Sequence, residues 1–413
     1  MAAPPRDISI SRFALGFAGL FLVCGTLAVL GGDGKLPISA PLRQWLIAGD
    51  WSSAGVVEWQ AQEATASFDD ADQRRAAEIY RSLVRRDPAN PYRWCDLAEA
   101  LQAVGGLDEA GKAFRQARIL GPAIPPVLIR AANFYFSTQD TAAAAEAYGK
   151  VLALTHEYDP IIFLTLRRLG LQVGDVIARV LPKDPESAKN YFVSVMNTGD
   201  IAGGAMVWGW LIENGLSSEK LAEQYVDFLL RHDKGQTATA AWGEYVGKRR
   251  GDYLEPNLIY NGRFGSDPSG SRLDWHIEPV DGAETEIVTQ DQPRNGRILE
   301  IRFGGQTNVN YHHVWQALWI PAGSYRVSAH VSSDHLTTNQ GVQLHLTDST
   351  HHRFDWMSDP VLGTNERFWL EGNITVPDCP FLLLEVVRQP SEKFDNKING
   401  TIQFESISIV KSL

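Results

Sequence analysis

Eight of the ten histidines fall late in the chain, at His276, His312, His313, His330, His335, His345, His351 and His352. The pairs His312-His313 and His351-His352 invite a metal reading. Adjacent residues on a strand face opposite ways, however, so such a pair rarely gives two ligands to one ion, and no metal is expected. Asp334, Asp348 and Asp355 could join the histidines as an acid/base set. Neither G-x-S-x-G, a Cys-His signature nor a phosphate loop accompanies them, and paired carboxylates for glycoside cleavage cannot be picked out by spacing. No catalytic residue and no cofactor is therefore assigned. What these residues can be read for is binding, at a site made of an aromatic plane and a few orienting polar groups. Trp315, Trp319, Trp356 and Tyr311 are candidates for the plane.

The elements that must position these groups are strands. From Asn257 on, apolar residues alternate and turns recur every eight to twelve residues. The inward sets are Leu299/Ile301/Phe303, Leu318/Ile320, Tyr325/Val327/Ala329/Val331, Val342/Leu344/Leu346, Phe368/Leu370, Leu382/Leu384/Val386 and Ile402/Phe404/Ile407/Ile409. Their neighbours must then leave the core: Glu300 and Arg302, Arg326 and His330, Gln343 and His345, and Glu385. If these strands are neighbours they make one polar face of Arg, His, Gln and Glu. The competing reading is a merely solvated sheet exterior. Short antiparallel strands of this kind make a β-sandwich.

The opening Asn257-Leu258-Ile259-Tyr260-Asn261-Gly262-Arg263-Phe264, with Asp274-Trp275 after it, is similar to the start of galactose-binding-like jelly rolls, a fold of many carbohydrate-binding modules. Gln316-Ala317-Leu318-Trp319-Ile320-Pro321-Ala322-Gly323-Ser324-Tyr325-Arg326-Val327 and the closing Gly400-Thr401-Ile402-Gln403-Phe404-Glu405-Ser406-Ile407 look like theirs too. The resemblance spans residues 257–411 and implies glycan as a ligand, with Trp275 in the core. It departs where such modules carry the acidic groups of a structural calcium: Gly265 follows Phe264, and Glu405-Ser406 stands in place of an Asp pair.

Ahead of the strands the pattern is helical. In residues 94–122, Trp94, Leu97, Ala98 and Leu101 mark one helix face, Gly105-Gly106 break it, and Ala110, Phe114 and Ala117 mark a second helix that Pro122 ends. The same pattern recurs one period later at Leu128, Ala131, Ala132, Tyr135, Ala144, Tyr148 and Val151, and one period earlier at Ala76, Tyr80, Leu83 and Pro88. The period, about 34 residues, and the marked positions resemble the tetratricopeptide repeat. One helix pair cannot bury its apolar face alone, so pairs stack into a solenoid, and the resemblance implies protein partners. After Pro160 the repeat decays, though helical stripes continue: Ile162/Phe163/Leu166/Leu169, Tyr191/Phe192/Val195, Met206/Val207/Trp210/Leu211 and Leu221/Tyr225/Phe228/Leu229, with a last helix over 238–248. Asp69-Asp70-Ala71-Asp72 reads as a helix start, lacking the Gly and closing Glu of a calcium loop.

Arg6 and Arg12 precede an uncharged run, 13–30, close to the ~20 residues that cross a bilayer. It reads as a signal anchor or a cleaved signal peptide, with the bulk of the chain exported. A worn repeat that caps the solenoid is expected over 42–67. A net charge of −11, from 38 basic and 49 acidic residues, argues against nucleic acid as a partner. Cys24, Cys95 and Cys379 lie in three different regions and read as unpaired thiols. The expected architecture is a cytoplasmic tip and transmembrane anchor (1–34), an all-α tetratricopeptide-like solenoid (35–252) and an all-β jelly-roll sandwich (253–413). This arrangement looks like a bacterial envelope family tied to exopolysaccharide assembly. It implies a single-pass inner-membrane scaffold in the periplasm, with protein partners on the repeats and polysaccharide on the sandwich. The alternatives are a purely structural protein scaffold and a glycan-active hydrolase.

Overall fold

The computed structural model describes residues 54–412, except 67–68, 290–295, 349–351 and 379–381. The expected membrane span at 13–30, the first half of the worn repeat at 42–53, Cys24, Cys379 and His351 lie outside the described residues. Among those residues no helix is long and apolar enough to cross a membrane. The chain forms two compact units, Met1–Ala131 and Ala132–Leu413.

The first unit holds α1 (Ala54–Thr65), α2 (Asp70–Arg86), α3 (Pro91–Ala103), α4 (Leu107–Leu120) and the first half of α5 (Pro125–Ser137). The chain sets the ends of these helices itself. Asp69 accepts from the Ala71 N–H at the head of α2, and Asn90 accepts from the Tyr92 N–H just before Pro91 opens α3. Gly105, at φ +79°, makes the left-handed turn between α3 and α4. Ala98, Ala110 and Ala117 are fully buried and let these two helices close up around Phe114. Arg130 on α5 reaches back to α3, donating to Asp96 at 2.7 Å and Glu99 at 2.6 Å. Cys95 is a free buried thiol whose burial pushes its pKa up to about 12.

The second unit continues with α6 (Thr141–Leu152), α7 (Asp159–Arg168), α8 (Val173–Arg179), α9 (Pro185–Met196), α10 (Ile201–Glu213), α11 (Glu219–Arg231) and α12 (Gly235–Val246). The repeat does not decay after Pro160; it slips once. First helices begin at Pro91, Pro125 and Asp159, one full period apart each time. The short α8 breaks the count, and the same period resumes from α9 to α11 and from α10 to α12. The slip hides the period from a fixed-window reading. It also corrects one stripe: Trp208, not Trp210, enters the core, and Met206 is 57% exposed. Trp208 stacks on Phe192 at 5.9 Å, and Tyr225 packs against both rings at 5.2 Å.

After α12 the described residues form ten antiparallel strands: β1 (His276–Ile277), β2 (Ala283–Thr289), β3 (Arg297–Gly304), β4 (Tyr311–Leu318), β5 (Gly323–Leu336), β6 (Gln343–Thr347), β7 (Asp355–Met357), β8 (Gly363–Val376), β9 (Leu382–Arg388) and β10 (Asn399–Lys411). They form two five-stranded sheets, β1-β4-β9-β6-β7 (the front sheet) and β2-β3-β10-β5-β8 (the back sheet). The predicted inward sets meet between them. Ile301, Val327, Ala329, Ile402 and Ile409 of the back sheet, and Val314, Leu344, Leu346, Leu384 and Val386 of the front, are fully buried. Trp275 is buried against Phe264, with ring centres 5.5 Å apart. The helices pack directly on the sandwich's opening segment: Trp242 of α12 meets Tyr260 edge-on at 5.5 Å, and Glu223 of α11 accepts from the Gly270 N–H at 2.9 Å.

One end of the sandwich is tied by Arg388, which is fully buried and, among the described residues, has no carboxylate in its bonding set. Its guanidinium donates to the carbonyls of Val309, Gln340 and Asn396, to Asn308 Oδ1 at 2.9 Å and to Thr338 Oγ1. Five oxygens from three loops converge on one cation, and burial pushes its pKa down.

Candidate functional site

Strand pairing lays one row of side chains across the outer face of the front sheet. His276 is opposite Trp315, Trp315 opposite Glu385, Glu385 opposite His345, and His345 opposite Met357. Each lies beside an inward residue, so alternation turns all five outward. The His276 and Trp315 rings stack 3.9 Å apart and 5° from parallel. His276 Nε2–H donates to the Ser271 carbonyl at 3.1 Å, and Trp315 Nε1–H donates to Glu278 at 3.0 Å. The indole plane is thus fixed in orientation before any ligand arrives. Met357 is exposed at the far edge.

His345 sits between two carboxylates. Nε2 is 2.9 Å from Asp355 Oδ1, and Nδ1 is 3.5 Å from Glu385 Oε2. Carboxylates only accept, so an imidazolium with both ring nitrogens protonated satisfies both sides. The hydrogen bond to Glu385 accordingly leads in raising the His345 pKa above its ordinary value, against partial burial, with Asp355 adding to it. One rung away, Gln343 Nε2 donates to the Ser358 carbonyl at 2.6 Å. The face therefore offers a flat aromatic surface, a carboxylate, a cationic imidazole and an exposed thioether in line. That set can stack on the apolar face of a pyranose and hydrogen-bond its rim.

The candidates do not share one face. Trp315, Gln343, His345 and Glu385 are on the front sheet, while Glu300, Arg302, Arg326 and His330 are on the outside of the back sheet. Alternation separates inside from outside, but it cannot say which sheet a strand joins when the partners are distant in sequence. Glu300 is covered by Arg302 at 2.6 Å and by Gln403, whose Nε2 donates at 2.5 Å. Arg302 also binds Glu284 and Glu286, which commits it to cross-strand ion pairs.

Three of the four aromatic candidates sit elsewhere. Tyr311 is fully buried, with its hydroxyl 2.7 Å from Thr285 Oγ1 and its ring edge-on to Phe303, because a bulge between Tyr311 and Val314 turns it inward. The same bulge brings His312 and His313 together at 4.5 Å, where strict alternation would have parted them. Trp356 is opposite Leu346 and so points into the sandwich, where Gly372 of β8 makes room for it. Trp319 lines a cavity of about 380 Å3 with Lys234, Gln236, Arg353 and Asp378.

Of the acid/base set, Asp334 lies on the back sheet beside His335, Asp348 is buried at the end of β6, and Asp355 is on the front sheet. They form no common site. Among the described residues no group of three or more His, Cys, Asp or Glu side chains is placed to hold a metal ion. His276, Met357 and Trp369 were missed, although alternation from Trp275 and from Phe368/Leu370 marks His276 and Trp369 as outward.

No family model and no curated protein matches the chain. Solved structures resemble it in parts. A structure reported as "CBM4 structure and function" is 12% identical over 37% of this chain and 99% of its own, with a TM-score of 0.28. Pseudomonas aeruginosa PilF is 14% identical over 49% and 95%, with a TM-score of 0.27. The CBM22-1 xylan-binding domain of Paenibacillus barcinonensis Xyn10C is 14% identical over 34% and 87%, with a TM-score of 0.23. Likenesses this slight do not bear on what the chain does.

Proposed function

We propose that this chain is a non-enzymatic envelope scaffold whose helical repeats hold a protein partner and whose sandwich holds glycan on its front sheet. In this reading residues 13–30 anchor the chain in the inner membrane with the short N-terminal tip in the cytoplasm, the bulk of the chain lies in the periplasm, and the assembled polysaccharide is the ligand. The observation that carries the glycan half is the row His276–Trp315–Glu385–His345–Met357, a pre-oriented aromatic plane continued by polar groups across the sheet. The repeats support the protein half through their stacked pairs and the exposed Met206 and Ile161 they leave at the surface.

Isothermal titration of the detergent-solubilised full chain against the host's own exopolysaccharide tests the glycan half. Heat is expected from the native protein. Trp315→Ala should weaken binding at the front sheet about tenfold or more with thermal unfolding little changed. An unchanged front-sheet affinity in that variant, or no heat from a folded native protein, removes the front sheet from the account.

A further inference from the structure

We propose a second glycan site on the outer face of the back sheet, so that the sandwich grips two polysaccharide segments back to back. Trp369 is 56% exposed and lies parallel-stacked on His330, with ring centres 4.7 Å apart and planes 21° apart. His330 Nδ1 lies 2.9 Å from Glu405 Oε2, and Glu405 is also paired with Arg367. The support has a cause in the backbone. The register of β10 shifts between Phe404 and Ser406, and Glu405 and Ser406 both leave the core at this bulge. A large indole exposed on a sheet is ordinarily a liability; here a ring, a carboxylate and a guanidinium fix it flat.

What surrounds the ring decides the class of ligand. Pairing places Ser406, His330 and Trp369 in one row, Ser408, Ser328 and Glu371 in the next, and Val410, Arg326 and Asn373 in the third. Two rungs of two residues put the third row about 13 Å from the first. There a cavity of about 940 Å3 opens, lined by the polar Arg326, Ser328 and Asn373 and by the apolar Pro256, Leu258 and Pro321. The exposed indole is separated from those apolar walls by the Ser408–Ser328–Glu371 row, so the line holds no continuous cluster of desolvated anchors such as a protein interface core needs. One aromatic plane followed by hydroxyl, amide and guanidinium groups suits a run of sugar rings, the first stacked on Trp369 and a later one seated at Arg326 and Asn373.

The test titrates oligosaccharides cut from the host's exopolysaccharide into the full chain in detergent, for the native protein and for Trp315→Ala, Trp369→Ala and Asn373→Ala. Two sites per chain are expected. Trp369→Ala should remove one of them and leave thermal unfolding unchanged, since the ring is outside the core. Asn373→Ala should weaken that same site while leaving the Trp369 platform in place. Native protein, but neither single-face variant, should cross-link and cloud intact polysaccharide. A stoichiometry unchanged in both Trp369→Ala and Asn373→Ala overturns the second site. If Trp315→Ala alone abolishes all binding, the front face stands and the back face falls. If Trp369→Ala alone does so, the front-face reading falls and this one stands. No heat from the native protein overturns both.

Discussion

His345 is the residue on the front face whose charge can be read from its neighbours. Both ring nitrogens face carboxylates, so it holds its proton more tightly in the folded chain than in the unfolded one, where the value is near 6.5. The stabilisation is therefore complete below pH ~6.5 and is lost as pH rises through the higher folded value. A series of thermal melts should show His345→Gln less stable than native protein in mild acid, with the gap closing in alkali. A gap that widens with pH would mean that the imidazole is neutral in the row. Trp315 and His276 show what one residue's surroundings add: the stack and the Glu278 hydrogen bond leave the indole little freedom to lose on binding. Trp315 was one of four aromatic candidates, and alternation found Glu385 and His345. The stack escaped it because it needs two strands, β1 and β4, to be neighbours.

At the scale of elements, pairs of close approach make the sharpest predictions. A Cβ on Gly372 would lie 2.3 Å from the Trp356 ring, which the core holds in place, so Gly372→Ala should cost about 1–3 kcal/mol in denaturant melts. Pairing it with Trp356→Leu should recover part of that loss. Gly243→Ala is a contrast. Its added methyl meets the free end of Leu254 at 2.6 Å, and a rotamer change relieves it. At the helix ends, Asp140 accepts from the Ala143 N–H, so Asp140→Ala should cost about 1 kcal/mol, measured the same way.

These elements differ in how legible they are. The helix pairs around Phe114 and Tyr148 could be read because their contacts are local and recur at a fixed period. The same logic failed at α8, where a seven-residue helix shifts the count. The strands could be read as inside and outside, since Val327, Ala329 and Val331 alternate without a break. Their order could not. β4 pairs β9, and β10 lies between β3 and β5, partners chosen by the packing of the whole sandwich and not by any local signal. The bulge at Tyr311 turned one aromatic candidate into the core, whereas the bulge at Glu405 is already visible in the spacing of Phe404 and Ile407.

At the scale of the molecule, the helices of the second unit do not hang from the sandwich by a free linker. Trp242, Tyr253 and Tyr260 interlock, with Tyr253 and Tyr260 rings 5.3 Å apart, and Tyr253 is buried. Trp242→Ala, which removes this ring from the junction, should therefore lower the unfolding temperature of helices and strands together, by circular dichroism at helix and strand wavelengths. Separate transitions would show that the two parts melt independently.

Arg388 carries a consequence for how the protein can be handled. The carbonyl cage around it is the kind of oxygen shell that other proteins fill from solution with a divalent ion. Here the positive charge is tethered to the chain by its own side chain, so it cannot be chelated or exchanged away. EDTA should leave the strand loops around residues 308, 340 and 396 as resistant to protease as before. Arg388→Met, which strands those oxygens, should open them at a cost of about 3 kcal/mol.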